Sequence, residues 1–279
     1  AMLGAGPLWD DRTGCLFFVD IEGRKLNRVK MEGEATSYPM PSRIGTVGLT
    51  QSGRLIIALE DGLHFFDPDT GRDEFFVQPE DGRPENRGND GKPDPAGNMW
   101  LGTMPMVQDK VGGLYRIAPD GSSRCVIDGL GCANGLGWSP DGKTMYFIDT
   151  PSRAVWAFDY DEKAGEIDLN SRRTVVDFTG FAPEEGGPDG MTVDAEGKLW
   201  VAQWGGCRVC RYDEITGEKL MQVDVPAPCT SCPTFGGEKL DKLFITTAGF
   251  GKEKFPEAGS LFVADVGVCG RKANRFGRE

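Results

Sequence analysis

The chain has 279 residues, of which 39 % are hydrophobic and 27 % are charged, so it can bury a core and is not a disordered segment. This length allows either two average domains or one large β domain. Forty Gly and eighteen Pro interrupt the chain too often for long helices. They exclude a helical bundle and favour short strands joined by tight turns.

The chain is acidic, with 31 Lys and Arg against 43 Asp and Glu and a net charge of −12. Such a surface repels phosphate backbones and anionic lipids, so we expect neither a nucleic-acid nor a membrane partner. No apolar run approaches the roughly 20 residues of a membrane span, and we identify no signal peptide at the start. The expected location is therefore cytoplasmic.

Six similar apolar runs recur along the chain, and a turn residue opens each of them. In chain order they occupy residues 14–20, 53–59, 97–103, 142–149, 197–203 and 241–247. Each run predicts a buried strand. Six repeats average about 46 residues each, which is the length of a four-stranded propeller blade.

Further strands are predicted within each repeat. One follows the apolar run, as at residues 63–66, and another ends the blade, as at residues 75–78. Turns rich in Asp, Pro and Gly, such as 67–71, join them. The sequence therefore predicts an all-β, six-bladed β-propeller that forms one domain over residues 1–279. Two β-sandwiches are the alternative, although sandwiches do not repeat so regularly. Which strand closes the last blade stays open.

Three repeats carry a polar residue at one equivalent position, ahead of the apolar run: Asn89, Asn134 and Asp189. Equivalent positions of a closed propeller form a ring at one end of the channel, so these side chains are expected to converge. Oxygen ligands without histidine suit a hard cation such as calcium or magnesium, and they tolerate zinc or iron(II). The alternative is that the Asn-Gly and Asp-Gly dipeptides only form turns.

Eight cysteines include two Cys-x-x-Cys pairs that begin at Cys207 and Cys229, with the numerical spacing of a zinc ribbon. The first pair lies in a predicted strand, where residues three apart point to opposite faces and cannot both reach one ion. Buried free thiols are therefore favoured over a zinc site.

The only histidine, His64, lies in a predicted strand outside the ring of polar residues, so a structural role is expected. A single histidine excludes a multi-histidine metal site, and it excludes a Ser-His-Asp triad at the channel unless His64 serves. The glycine-rich stretch at residues 186–190 lacks the Gly-Lys-Ser/Thr ending of a phosphate loop. Nucleotide binding therefore has no support.

Several motifs resemble the regucalcin/gluconolactonase family, which also includes luciferin-regenerating-enzyme-like proteins. They keep the family's order from about residue 3 to residue 277. The resemblance implies a six-bladed propeller with one divalent metal in its channel and hydrolysis of sugar lactones. The matching segments are residues 3–9 (LGAGPLW), 86–92 (NRGNDGK), 102–104 (GTM), 134–142 (NGLGWSPDG), 188–191 (PDGM), 235–237 (FGG) and 270–277 (GRKANRFG).

In that family a Glu, an Asn and an Asp hold the metal. By resemblance the last two are Asn134 and Asp189, whereas Ala5 occupies the position of the expected Glu. The resemblance also assigns substrate contacts to Arg87 and Asn89. Ala5 removes one anionic ligand, which leaves open a deliberately inactivated variant or a natural member with weak or lost metal binding. Calcium or zinc is the expected ion, with magnesium, manganese or iron(II) as alternatives.

These residues suit the opening of a lactone ring. A channel metal would polarise the carbonyl and lower the pKa of bound water. Asp189 is then the expected general base, because it is the charged group nearest the metal. Arg87 and Asn89 would orient the sugar hydroxyls, unless Arg87 is a solvated loop charge. Two other functions stay open: a non-catalytic metal- or ligand-binding propeller of the regucalcin type, and a phosphotriesterase-like hydrolase of organophosphates.

Overall fold

The computed structural model describes residues 1–277, and nearly all of its regular structure is β-strand. The last two residues of the predicted domain, 278–279, lie outside the described part. Two short 3₁₀ segments, Thr150–Ser152 and Pro183–Glu185, accompany the strands. In chain order the strands are β1 (Gly4–Asp10), β2 (Cys15–Asp20), β3 (Lys25–Lys30), β4 (Ala35–Pro39), β5 (Ile44–Thr50), β6 (Leu55–Leu59), β7 (Gly62–Asp67), β8 (Arg72–Val77), β9 (Asn86–Pro93), β10 (Met99–Pro105), β11 (Gly112–Ile117), β12 (Ser123–Leu130), β13 (Ala133–Trp138), β14 (Thr144–Asp149), β15 (Ala154–Asp161), β16 (Glu166–Asp177), β17 (Gly187–Val193), β18 (Leu199–Trp204), β19 (Arg208–Tyr212), β20 (Lys219–Asp224), β21 (Thr230–Gly236), β22 (Lys242–Thr247), β23 (Phe262–Asp265) and β24 (Arg275–Phe276).

These strands form six separate sheets, antiparallel except for the pairing of β24 described below, which confirms the predicted six-bladed β-propeller and excludes the two sandwiches. Each sheet follows chain order from an inner to an outer strand: β1–β4, β5–β8, β9–β12, β13–β16, β17–β20 and β21–β23. The inner strand β1 contacts both β5 of the second blade and β21 of the last, so the ring is closed. Within residues 1–277 no helix is long and apolar enough to cross a membrane.

The six apolar runs form the second strand of each blade, namely β2, β6, β10, β14, β18 and β22. Every residue of β6 is buried, for example, because neighbouring blades cover both faces of the sheet. This packing explains why the runs are continuous and do not alternate with polar residues. The core is accordingly divided into clusters between adjacent blades, such as the one that contains Phe17 and Ile57.

The inner strands share one irregularity, which positions the site described below. In all six blades the pairing between the inner strand and its neighbour shifts register near the start of the inner strand. Residues 89–90, 134–135 and 189–190 each form such a β-bulge, with two residues opposite one. A β-bulge bends the strand and redirects side chains, and bulges are frequent beside active sites.

The last blade has three strands within the described residues, and the chain then returns across the opposite end of the channel. We call residues 269–277 the C-terminal strap. Its strand β24 pairs in parallel with β5 of the second blade. Arg275 binds Asp10 and Asp11 of the first blade at 3.0 and 2.6 Å. Other strap groups bond Pro93, Ser139, Ala195 and Leu240, so all six blades are held.

Candidate functional site

The bulges of the inner strands open into one cavity of about 250 Å³ at one end of the channel. The four predicted site residues, Arg87, Asn89, Asn134 and Asp189, all line it, and Ala5 does so as well. They come from four different blades, through β1, β9, β13 and β17. The dipeptides at Asn134 and Asp189 lie within strands, so the alternative that they only form turns is wrong.

The glycines after Asn134 and Asp189 have a packing role. A Cβ atom on Gly135 would lie 2.7 Å from the carbonyl oxygen of Asp189, and one on Gly190 would lie 2.5 Å from Cys232. Only glycine therefore permits the inner strands to approach this closely. The close approach brings the Asn134 and Asp189 side chains into the same small space.

The two asparagines are held by hydrogen bonds to their surroundings. Nδ2 of Asn134 donates to Oγ1 of Thr150 at 3.0 Å and to Sγ of Cys132 at 3.7 Å. Its amide oxygen has no hydrogen-bond partner within residues 1–277, so it is available to a ligand. Asn89 instead uses both ends of its amide, because Nδ2 donates to the Ala133 oxygen and Oδ1 accepts from Arg87.

Arg87 is buried on β9, so the alternative of a solvated loop charge is wrong. Its Nη1 donates to the oxygen of Gly88 and to Oδ1 of Asn89, both at 2.9 Å. Its Nε has no partner and is buried. Burial lowers the pKa of the guanidinium, which raises the gain from an anionic or carbonyl ligand nearby.

Two carboxylates share the cavity. Asp90, which follows Asn89 in the same bulge, is buried; its Oδ1 accepts from the Gly91 amide and its Oδ2 has no partner. Burial raises the pKa of Asp90 above its ordinary value, although Lys92 opposes this. Burial and the charge of Asp90 raise the pKa of Asp189 well above its ordinary value. The fold thus places two acids with raised pKa values in the same cavity.

These donors fit a divalent cation. The orphaned Oδ2 of Asp90, the carboxylate of Asp189 and the free amide oxygen of Asn134 are oxygen ligands of the kind that hard cations prefer. Arg87 is the only cationic side chain that lines the cavity among the described residues. In the same part of the chain, no three His, Cys, Asp or Glu side chains form a group that could hold a metal. The donor set therefore consists of two carboxylates and an amide.

Several residues of the cavity were not predicted. Asp90, Thr150 and Cys132 lie beside the polar groups, whereas Met104 and Trp204 contribute apolar walls. Asp90 directly follows the predicted Asn89, but a regular strand would direct two consecutive side chains to opposite faces. The bulge removes that alternation, and the flanking glycines, Gly88 and Gly91, are the signal in the sequence that could have marked it.

The cysteines and His64 are not among the catalytic candidates. All eight cysteines are free, with Cys210 and Cys232 buried and Cys207 and Cys229 half-buried. His64 lies on β7, where its ring nitrogens contact Asp61 and Asp73 at 3.0 and 3.2 Å, and it does not line the cavity.

Comparison with known proteins identifies the family to which the chain belongs. The chain matches the SMP-30/Gluconolactonase/LRE-like region over residues 3–249. It belongs to this family. The resemblance seen in the sequence motifs is thereby confirmed.

Members of the SMP-30/gluconolactonase/LRE-like family resemble the chain over nearly its whole length. The Bacillus subtilis protein YvrE, named as a sugar lactone lactonase, is 36% identical over 277 residues, which cover 97% of this chain and 93% of YvrE. Regucalcin of Danio rerio is 40% identical over 282 residues, which cover 96% and 92% of the two chains. The structure of regucalcin from Agrobacterium tumefaciens, described as a calcium-binding protein, has a TM-score of 0.92 at 30% identity and covers 99% and 94%. Family membership supports a lactonase or a regucalcin-type role.

Proposed function

We propose that this protein is a lactonase that hydrolyses a small-molecule lactone in the channel cavity, with a divalent cation as cofactor. The observation that carries the proposal is the convergence of Arg87, Asn134, Asp90 and Asp189 on one cavity in a chain of the gluconolactonase family. Sugar lactones are the first substrates to test, because YvrE is named for them. The cytoplasmic location and the absence of a nucleic-acid partner stay predictions.

Asn134, Asp189 and Asp90 are the residues that would hold the cation. When bound there, a divalent cation polarises a carbonyl and acidifies water. Calcium or magnesium suits these oxygen donors, and zinc, manganese and iron(II) are the other ions to test.

The reaction is an ester hydrolysis. A water oxygen adds to the lactone carbonyl carbon, the ring C–O bond breaks, and the proton lost by water reaches the departing ring oxygen to give a hydroxy acid. Asp189 is the proposed general base, because it is a half-buried carboxylate that lines the cavity. Arg87 has an unpartnered Nε and stabilises negative charge on the carbonyl oxygen. Asn89 positions Arg87 through their 2.9 Å hydrogen bond.

A second candidate is a non-catalytic, regucalcin-type binding protein, and Ala5 is the observation that favours it. An alanine that lines the cavity supplies neither a ligand nor a charge. With fewer anionic ligands the site holds a cation less firmly. Such a site would bind an ion reversibly but would position it poorly for catalysis.

The test compares the unmodified chain with Asp189→Asn. We expect lactone hydrolysis by the unmodified chain with at least one of the five metals, and about 10²–10⁴-fold slower turnover in the variant. The matched control is Asp168→Asn, an exposed carboxylate on β16. Equal turnover in Asp189→Asn and the unmodified chain would reject the assigned base. Metal binding without turnover of any lactone would support the binding protein, and turnover of an organophosphate ester alone would indicate the phosphotriesterase-like alternative.

A further inference from the structure

The cavity has an apolar side that the proposed chemistry does not use. Leu3, Ile21, Met104 and Trp204 line it together with Ala5. Ile21 is buried. Leu3, Met104 and Trp204 are half-buried and present apolar surface to the cavity. A pocket of this composition binds hydrocarbon more readily than hydroxyl groups.

Exposed apolar side chains adjoin this wall, one by direct contact and two in sequence. The ring of Trp204 packs edge-on against Phe250 with 6.0 Å between centroids, and Phe250 is 52% exposed. Met106, two residues beyond the lining residue Met104, is 46% exposed. Met2, next to Leu3, is exposed as well. Exposed apolar groups that adjoin a cavity are characteristic of a ligand-binding groove.

The polar side chains of the cavity offer few partners to ring hydroxyls. Asn89 uses both ends of its amide within the protein. The Thr150 hydroxyl accepts from Asn134 and donates to the Pro188 oxygen. The Ser231 hydroxyl donates to the Gly4 oxygen at 2.5 Å and contacts Thr246. The groups that stay open are those assigned to the carbonyl and the cation.

A lactone with several hydroxyl groups would therefore lose hydrogen bonds to water without replacing them, which disfavours its binding. An alkyl chain would leave water for the apolar wall and rim, which favours binding. We propose that the preferred substrate is a lactone with few ring hydroxyls and an alkyl substituent, and this inference rests on the proposed lactonase function.

The experiment measures acid release from γ-nonanolactone and from δ-gluconolactone, above their spontaneous rates, with the metal-loaded protein. We expect kcat/KM to be about tenfold or more higher for γ-nonanolactone, since even one methylene in an apolar pocket changes this ratio by about 10–200-fold. The variant Met104→Gln, similar in size but polar, should lower kcat/KM for γ-nonanolactone about tenfold and lower that for δ-gluconolactone by a clearly smaller factor. The matched control is Met221→Gln on the outer strand β20, which should change neither value.

A higher kcat/KM for δ-gluconolactone, or an equal loss for both substrates in Met104→Gln, would overturn the inference and leave the lactonase function intact. Hydrolysis of neither lactone would overturn the lactonase function. In that event, calorimetry with the two corresponding lactams, which resist hydrolysis, decides the ligand class. Tighter binding of the alkyl lactam supports an apolar ligand, and equal or tighter binding of the hydroxylated lactam rejects it.

Discussion

Ala5 lies on β1 at the edge of the cavity, opposite Val19 in the sheet and directly before the bulge of the first blade. Replacing it by glutamate would add a third carboxylate to those of Asp90 and Asp189. We expect Ala5→Glu to tighten divalent-cation binding, because the new carboxylate is anionic and would coordinate the cation directly. Groups that only hydrogen-bond to a metal's ligands already change metal affinity by about 10–100-fold, so a gain of about tenfold or more is expected from a direct ligand.

Calorimetric metal titration and lactone turnover test this variant, and we expect both to increase. Ala5→Gln is the matched control, since it adds similar volume without charge. In chelator-treated protein, Ala5→Glu should unfold at a lower temperature than Ala5→Gln, because three carboxylates within one cavity repel one another. Unchanged metal affinity and turnover in Ala5→Glu would show that position 5 does not contact the ion.

At the scale of single residues, the sequence could predict Arg87, Asn89, Asn134 and Asp189 as candidates, through motif resemblance and repeat register. All four do line one cavity, while their roles stay predictions. Asp90 could not be predicted from strand periodicity, because its orientation depends on the bulge that it forms with Asn89. Thr150 directly follows β14, and Trp204 is the last residue of β18. Both line the cavity, but the repeat pattern does not mark either position.

At the scale of elements, the distance between adjacent inner strands sets the geometry of the site. A Cβ atom on Gly190 would lie 2.5 Å from Cβ and Sγ of Cys232 and 2.7 Å from the Ser231 oxygen. Gly190→Ala should therefore displace β17 from β21 and move the Asp189 side chain. Overpacking of this kind costs about 1–3 kcal/mol, so we expect Tm to fall by several degrees and metal affinity to decrease.

Thermal unfolding and metal titration check this prediction, and Gly180→Ala is its control. Gly180 is exposed, and a Cβ atom there would meet nothing within 4 Å. Its Tm and metal affinity should match those of the unmodified chain. Wild-type values in Gly190→Ala would mean that the two inner strands can separate without effect on the site.

The second strands could be predicted because each is buried on both faces and leaves a continuous apolar run. The outer strands are harder to predict, because they are largely exposed and leave no continuous apolar run. Four of the five residues of β4 are exposed, and its sequence carries little apolar signal. The strand that closes the last blade could not be predicted either, and β21–β23 form a three-stranded sheet within the described residues. The return of the chain to β5 depends on long-range contacts that no local pattern shows.

At the scale of the whole molecule, the C-terminal strap ties the ring together. The side chains of Arg275 and Asp10 are only 11% and 10% exposed, so their ion pair is largely shielded from water. Burial alone would raise the pKa of Asp11, but hydrogen bonds from Lys272 and Arg275 outweigh it and hold this pKa below its ordinary value. We expect Arg275→Met to destabilise the protein by about 3 kcal/mol, because it leaves the buried Asp10 carboxylate without its cationic partner, whereas Asp11 keeps Lys272.

Chemical denaturation measures this loss. Arg173→Met is the matched control, because Arg173 pairs with Asp159 at 2.9 Å and their side chains are 48% and 68% exposed. An exposed pair of this kind contributes about 0–1 kcal/mol. Similar losses in the two variants would show that the strap adds no more than an ordinary surface contact.

The strap also lies across the end of the channel opposite the cavity, which bears on how a ligand would enter and leave. Three strap residues lie at the end of the channel opposite the cavity: Arg271, Lys272 and Asn274. Lys92 lines the same end, and its ammonium donates to the carbonyl oxygens of Leu136 and Met191. Because these side chains occupy the opposite end of the channel, we expect ligands to enter and leave at the cavity end. Under the proposed lactonase function, a hydroxy acid formed in the cavity would leave by the same route through which the next lactone enters. Product that dissociates slowly would then compete directly with incoming substrate, and its release would limit turnover.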